Sequence, residues 1–489
     1  MMSRSTTAAL LALACGAAGC GADAPAQPTV PVVVVVFDAF DGARVGHLGH
    51  DRDTTPHLDA LAAEGTSFRN ALAPAPYTLA GVASLVTGRL PDTHGLVAKR
   101  QRLGPEEQTL AEVLGQAGYP SLAVVGNPNG GEIFGSMQGF DEVIATYELG
   151  PDRPANYTPP STGEPLHMST PEESAAELAR WAARGGPPAQ AGAPFFYYTH
   201  ILQPHTPYIA PEPFRSTWLE PGYDGLFAGG DNQTLIRHKW RTDEVTPRDE
   251  QALLDLYDGN ILWADHGLGL LVAELKRLGI YEDALILVTA DHGEACYQHG
   301  VRGHNDTLYD EMLRVPLVVR FPDDWEVPRG TIVDDVVSTM DLLPTVCEAL
   351  DRAAPPRLDG ESLLPLVQGA GPQAGPPNTG RRLVLRDHGT PPSVGFRTDE
   401  HKAIWHRDRT GPDREPLQNA FLFYDLTTDP GEHDALDARD AEWVAGFVPL
   451  LTDFAAFVDS QERRGTKGGI SAEDEAMLDA LGYIDEPAD

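Results

Sequence analysis

Three short stretches carry residue types able to do ester chemistry, and each stands where a buried element meets open backbone. The first runs from Pro74 to Gly88: a Pro-rich approach, Thr78, then the small and apolar Leu79 to Thr87, closed by glycine. The pattern predicts a short helix with Thr78 as its N-cap. A hydroxyl there lies beside unpaired N–H groups, where developing negative charge is stabilised by the amides and the helix dipole together. A lone threonine in that place ordinarily only caps, so a nucleophile needs supporting residues. Asp38 is one, following at once on Pro31 to Phe37, a continuous β-branched run. Asp291-His292-Gly293-Glu294 is the other, following the apolar run Ala284–Val288. Asp-His-Gly alone is equally a solvated turn. Two strand ends bearing carboxylates, with a hydroxyl between them in sequence, predict instead one divalent cation held by Asp38, Thr78, Asp291 and His292. The mixed oxygen and nitrogen donors suit Mn, Zn or Mg and make Ca less favoured.

These residues require a buried parallel sheet to hold them. Pro31 to Phe37 does not alternate, which marks a strand covered on both faces. Strand-like runs recur at Leu122–Val125, Phe195–Thr199, Leu285–Thr289 and Pro316–Phe321. Helical segments separate them: Thr54-Thr55-Pro56 caps a helix through Glu64, and Pro105–Ala117, Pro171–Ala183 and Thr246–Leu278 follow. The alternation predicts an α/β fold with a mostly parallel sheet flanked by helices. The Pro/Gly-rich stretches 144–170 and 206–247 are expected to wall the substrate. Gly369 to Gly380 reads as a linker to a smaller C-terminal α+β subdomain, with strand-like Arg382–Leu385 and Ala403–His406. The expected division is an export signal at 1–19, a tether at 20–30, a catalytic domain at 31–368 and the subdomain at 381–489.

Composition narrows the partners. The net charge of −36, from 72 acidic and 36 basic residues, repels polyanions and argues against nucleic acid. An anionic ester would need a local cation. The N-terminus has one positive charge and an apolar run, Ala8 through Cys20, too short to span a bilayer. Its end, Ala17-Ala18-Gly19-Cys20, resembles a bacterial lipoprotein processing site, which implies a lipid anchor on Cys20 and a periplasmic or cell-surface location, with plain secretion as the alternative. Of the remaining cysteines, Cys296 and Cys347 indicate no disulfide framework, although one bridge between them stays open.

Taken in order, the motifs resemble the sulfatase-like family of the alkaline phosphatase superfamily. They are Gly46-His47-Leu48-Gly49, Asp53-Thr54-Thr55-Pro56-His57-Leu58, Thr78 through Gly88, Gly118-Tyr119, His200-Ile201-Leu202-Gln203-Pro204-His205-Thr206-Pro207-Tyr208, Asp291-His292-Gly293-Glu294, Gly303-His304 with Leu308-Tyr309, Arg314-Val315-Pro316 and Asp341-Leu342-Leu343-Pro344-Thr345. Weaker echoes are Phe423-Tyr424-Asp425-Leu426 with Asp429-Pro430-Gly431-Glu432, and Leu481-Gly482-Tyr483. The resemblance implies an alkaline-phosphatase-like fold and the metal set named above. It also implies His205 and His304 as groups that contact the ester or help its leaving oxygen, and substrate contacts from His200 and from Asn127, which stands where many sulfatases carry Lys.

The departures bear on the reaction. In the Cys/Ser-x-Pro-x-Arg pattern of sulfatases, Thr78 replaces the Cys or Ser, Ala80 the Pro and Val82 the Arg. Sulfatases use a formylglycine aldehyde made from Cys or Ser; oxidised threonine would give a ketone. Direct attack by Thr78 on phosphorus is therefore expected, with hydrolysis or transfer of a phosphoric ester, a diester above all. A sulfuric ester hydrolase is the first alternative and a silent ligand-binding surface lipoprotein the second. The intact set Asp38, Thr78, Asp291 and His292 argues against silence. If Cys20 is the anchor, Cys20→Ser should move the protein from the membrane to the soluble fraction, as cell fractionation with N-terminal sequencing reads; a wild-type chain that is already soluble sinks the anchor.

Overall fold

The computed structural model describes residues 30–462 and 471, leaving aside 100, 159–164, 231–233, 235–237, 239–241, 370–382, 389–391, 408–419 and 437–441. The export signal, Cys20, nearly all of the tether, the linker beyond Gly369 and the Leu481-Gly482-Tyr483 echo lie outside these residues.

Ten strands belong to the first part of the chain: β1 (Val32–Asp38), β2 (Thr66–Leu72), β3 (Ser121–Val125), β4 (Glu142–Ala145), β5 (Phe196–Pro204), β6 (Leu285–Ala290), β7 (Ala295–Cys296), β8 (Arg302–Gly303), β9 (Leu317–Arg320) and β10 (Thr331–Ser338). Eight of them form one sheet in the order β10-β2-β9-β6-β1-β5-β3-β4, and β7 pairs with β8 apart from it. The β1 residues are all buried, as their unbroken apolar run requires, and β1 lies parallel to both β5 and β6. Leaving one such valine side chain in water instead would forgo about 1.5–3 kcal/mol. The sheet is thus α/β and mostly parallel, with the exception of β9, which runs antiparallel to β2 and β6.

Periodicity found the central strands and missed β2, β4 and β10. β2 carries Arg69 and Asn70, and β10 carries Asp334 and Asp335. The two pairs meet where β2 lies beside the edge strand β10: Arg69 Nε donates to Asp334 Oδ1 at 2.8 Å and Asn70 to the Asp334 carbonyl at 2.7 Å. An edge strand solvated on one side needs no continuous apolar run. The helix Pro56–Glu64 stands where its Thr-Pro start and Gly65 end put it, but its N-terminus is capped from a distance: Asp265 accepts from the His57 and Leu58 amides. Asp265 belongs to the long helix Pro247–Arg277, which starts in a capping box between Thr246 and Asp249. The segment expected from Pro105 becomes helical only at Leu110, where Thr109 and Glu112 form another capping box. Cys296 and Cys347 are both buried and free, so no bridge joins them.

A second, antiparallel sheet follows: β11 (Leu383–Arg386), β12 (Val394–Arg397), β13 (His401–His406) and β14 (Ala420–Asp425). The helix Glu442–Glu462 covers it, burying Val444, Phe447, Leu451 and Val458 against Phe396, Ala403 and Phe423. This small α+β unit is locked to the main body by Lys402 on β13. Its fully buried ammonium lies 2.6 Å from both Asp310 Oδ1 and Glu432 Oε1. Burial alone would raise the Asp310 carboxyl; Lys402, Arg397 and Arg314 hold it well below the usual range. Lys402→Met should leave two carboxylates buried without their cation and cost about 3–5 kcal/mol, seen as a lower midpoint in urea denaturation; an unchanged midpoint would show that the two sheets do not depend on this joint.

Candidate active site

The period of two along a strand gathers the site. Val36 is in register with His200 on β5 and with Thr289 on β6, and His200 is in register with Val125 on β3. Two residues further along the same face come Asp38, Asp291 and Asn127. Four neighbouring strands thus send side chains to one point at their carboxyl ends, the place where open α/β sheets bind ligands. Ala39, just past β1, has a φ of 61°. Its amide is thereby turned to donate to Asp291 Oδ1 at 3.1 Å, and the His292 amide donates to the same oxygen at 2.8 Å. The other oxygen, Oδ2, is left facing inward.

Thr78 arrives from β2 on a pinned approach. The Leu313 carbonyl accepts from Ala73, the Pro74 carbonyl accepts from Arg386, and the Pro76 carbonyl accepts from Asn305. The helix Thr78–Thr87 that follows is buried at every position. Its N-cap is Tyr77, not Thr78 as the sequence suggested; Thr78 is the first helical residue. Its hydroxyl therefore has no capping duty and points at the site, 3.5 Å from Asp38 Oδ1 and 3.3 Å from His292 Nε2. Gly81 makes this approach feasible, because a Cβ there would lie 2.3 Å from the Asp291 carbonyl oxygen.

The spacing of the polar atoms is that of ligands around a cation. His292 Nδ1 lies 2.8 Å from the Gly293 carbonyl, so the proton sits on Nδ1 and the Nε2 lone pair faces inward. Nε2 is 3.6 Å from Asp38 Oδ1 and 3.7 Å from Asp291 Oδ2. Asp38, His200 and Asp291 can each offer an atom within 4.8 Å of the others, a set that could hold a metal ion. Asp291 Oδ2 has no hydrogen-bond partner among the described residues although it is fully buried, and buried polar atoms are rarely left so. The residues fit a divalent ion. His200, expected from the resemblance to touch substrate, instead lies against the carboxylates, its Nε2 3.5 Å from Asp291 Oδ2 and 4.0 Å from Asp38 Oδ2.

Two carboxylates in one dry site disfavour each other's ionisation. Burial and the charge of Asp291 push Asp38 up to about 7. Burial would raise Asp291 too, but His292 and His200 beside it outweigh that and bring it down to about 2. Asn127 donates to Asp38 Oδ2 at 2.5 Å, supplying a neutral donor where the family resemblance expects a cation.

Nearer to solvent stand His205 and His304, both half-buried, with ring centroids 5.0 Å apart; His304 is also 4.5 Å from the His292 ring. His205 Nδ1 lies 2.7 Å from the Thr206 carbonyl, and burial keeps its pKa below the usual histidine range. His304 Nδ1 is 3.3 Å from Oε2 of the buried Glu294. In sequence Glu294 stands out only as part of a motif; its position under His304 cannot be read from spacing, because nine residues that include two short strands intervene. Every candidate named from the sequence, Asp38, Thr78, Asn127, His200, His205, Asp291, His292 and His304, is thus brought into one neighbourhood.

The family profile described as Sulfatase matches residues 31–352, and one described as N-sulphoglucosamine sulphohydrolase, C-terminal, matches residues 300–444. The chain is 25% identical over 417 residues to an ulvan-active sulfatase of Formosa agariphila, covering 81% of this chain and 74% of that one. It is 26% identical over 455 residues to arylsulfatase A of Bos taurus, covering 81% of each. Among solved structures, a phosphonate monoester hydrolase of Agrobacterium radiobacter shares the fold with a TM-score of 0.67 at 21% identity, over 88% of this chain and 96% of the other.

Gly81→Ala tests how tightly helix and strand end are fitted. The added methyl group should cost about 1–3 kcal/mol by overpacking and displace Asp291, so thermal stability and metal content, measured by mass spectrometry, should fall together. A variant with native metal content and native melting would show the contact to be slack.

Proposed function

Because the chain belongs to the sulfatase family, we propose that it hydrolyses an anionic ester with a tetrahedral centre by way of a group carried on Thr78. A sulfuric ester is the reading that the names of its relatives favour, an ulvan-active sulfatase and an arylsulfatase among them. The observation that carries the mechanism is the Thr78 hydroxyl at the first turn of its helix, 3.3 Å from His292 Nε2 and 3.5 Å from Asp38 Oδ1. A divalent ion held by Asp38, Asp291 and His292 would supply positive charge for the ester oxygens and lower the pKa of the alcohol.

The chain's own groups do the rest. Thr78 Oγ1 passes its proton to Asp38 Oδ1, 3.5 Å away, and forms a bond to the sulfur as the bond to the leaving oxygen breaks. His304 or His205, at the solvent side, gives the leaving oxygen a proton, and Glu294 Oε2, 3.3 Å from His304 Nδ1, holds the His304 ring. Water then attacks the sulfur, the bond to Oγ1 breaks, and Thr78 regains its proton. The amides of the first helical turn face the same charge throughout.

A second reading, a phosphoric ester and a diester above all, is favoured by Thr78 itself. Its Cβ methyl rules out an aldehyde, so release by elimination from a formylglycine hydrate is closed, and direct attack of an alkoxide suits phosphorus equally. Export and an anchor on Cys20 belong to the same proposal, with the substrate met outside the cytoplasm.

Thr78→Ala should lower turnover by roughly a thousandfold or more while leaving metal content in place, and Thr78→Ser should keep part of the rate. The ratio of rates on an aryl sulfate and a matched aryl phosphodiester separates the two readings: preference for sulfate upholds the first, preference for the diester the second. Turnover indifferent to Thr78→Ala on both substrates would overturn both.

A further inference from the structure

We propose that His200 is itself a ligand of the ion, so that two imidazoles and two carboxylates form a nitrogen-rich donor set that takes zinc, cobalt or manganese ahead of calcium or magnesium. The ring is wholly buried at the floor of the site, and neither of its nitrogens has a hydrogen-bond partner among the described residues. Buried imidazoles are ordinarily satisfied, so a ring left in this state beside two carboxylates asks for an electrophile. Nε2 faces Asp291 Oδ2 at 3.5 Å, and that oxygen lacks a partner as well. His292 Nε2 faces the same oxygen at 3.7 Å.

These separations are too long for hydrogen bonds, which span about 2.7–3.2 Å. They are close to the edge of a tetrahedron around an ion with bonds of 2.0–2.2 Å, about 3.4 Å. A substrate role for His200 meets a steric obstacle. The backbone at Gly130 roofs the ring so closely that a Cβ there would lie 3.0 Å from Nδ1. Asn127 donates to Asp38 Oδ2, and His200 Nε2 lies 4.0 Å from the same oxygen. His200 therefore looks inward at the ion position and not outward at an ester. Imidazole donors shift a site from the hard, oxygen-seeking cations toward the transition metals.

The proposal rests on the reading that this site holds a divalent ion, and it is independent of which ester is cleaved. The test is titration of the metal-free full chain with Co(II), followed by its visible ligand-field bands, with competition by Zn(II) and Ca(II). One Co(II) per chain is expected. His200→Ala should alter the bands and weaken binding by at least the 10–100-fold that loss of an outer-shell partner costs. The rise in melting temperature on adding Zn(II) should shrink in parallel. His200→Gln keeps a buried polar side chain of similar size should the alanine variant fail to fold. Unchanged bands and affinity in either folded variant, calcium binding as tight as zinc, or two ions per chain would overturn the proposal. Its failure would appear in metal binding with Thr78-dependent turnover intact, whereas failure of the hydrolase reading would appear as turnover indifferent to Thr78 with metal binding intact.

Discussion

Two like charges buried side by side constrain everything around them. Asp38 and Asp291 are fully inaccessible to water and meet at the ends of adjacent strands. Desolvating a carboxylate costs several kcal/mol, and a second one beside it adds repulsion. Their ion-pair partners among the described residues are imidazoles, His200 and His292. Each carboxylate is also steadied by neutral donors: Asn127 for Asp38, and the Ala39 and His292 amides for Asp291. The left-handed φ of Ala39 belongs to this arrangement, since a non-glycine residue at φ 61° is retained only where its surroundings over-determine it.

The sheet and helices supply rigidity at that point. β1 is sealed between parallel neighbours, so Asp38 cannot turn toward water without unpairing a central strand. The Thr78 helix is likewise fixed, with Gly81 against the Asp291 backbone at one end and the left-handed Gly88 at the other. The second sheet also reaches this region. Arg386 and His388 both make backbone bonds to the segments that carry Thr78 and His304, and the His388 ring meets Tyr77 edge-on at 5.2 Å. The Lys402 joint that secures the second sheet thus also secures the approach to Thr78.

The whole-chain charge and the site pull in opposite directions. A net charge of −36 repels an anionic ester at long range, so capture depends on charge gathered locally. Asn127 adds none, which would leave a bound divalent ion to supply it.

Much of this was written in the chain. The unbroken run Val32–Phe37 reads as a strand covered on both faces, and carboxylates directly after it and after Leu285–Ala290 stand at the strand ends where open α/β sheets bind ligands. Thr78, His205, Asp291, His292 and His304 were legible because motif order and residue type both pointed to them. The edge strand β10 and its neighbour β2 were not, since a polar pair interrupts the apolar run of each, and β9 carries no local sign of its antiparallel sense. Nor could spacing place Tyr77 at the N-cap instead of Thr78, a difference of one residue that turns the hydroxyl from capping to the site. Tertiary structure alone decided the place of His200. Its strand register with Val36 and Val125 sends it beneath the carboxylates, and register is fixed by pairing between segments 164 and 75 residues apart, which no local pattern encodes.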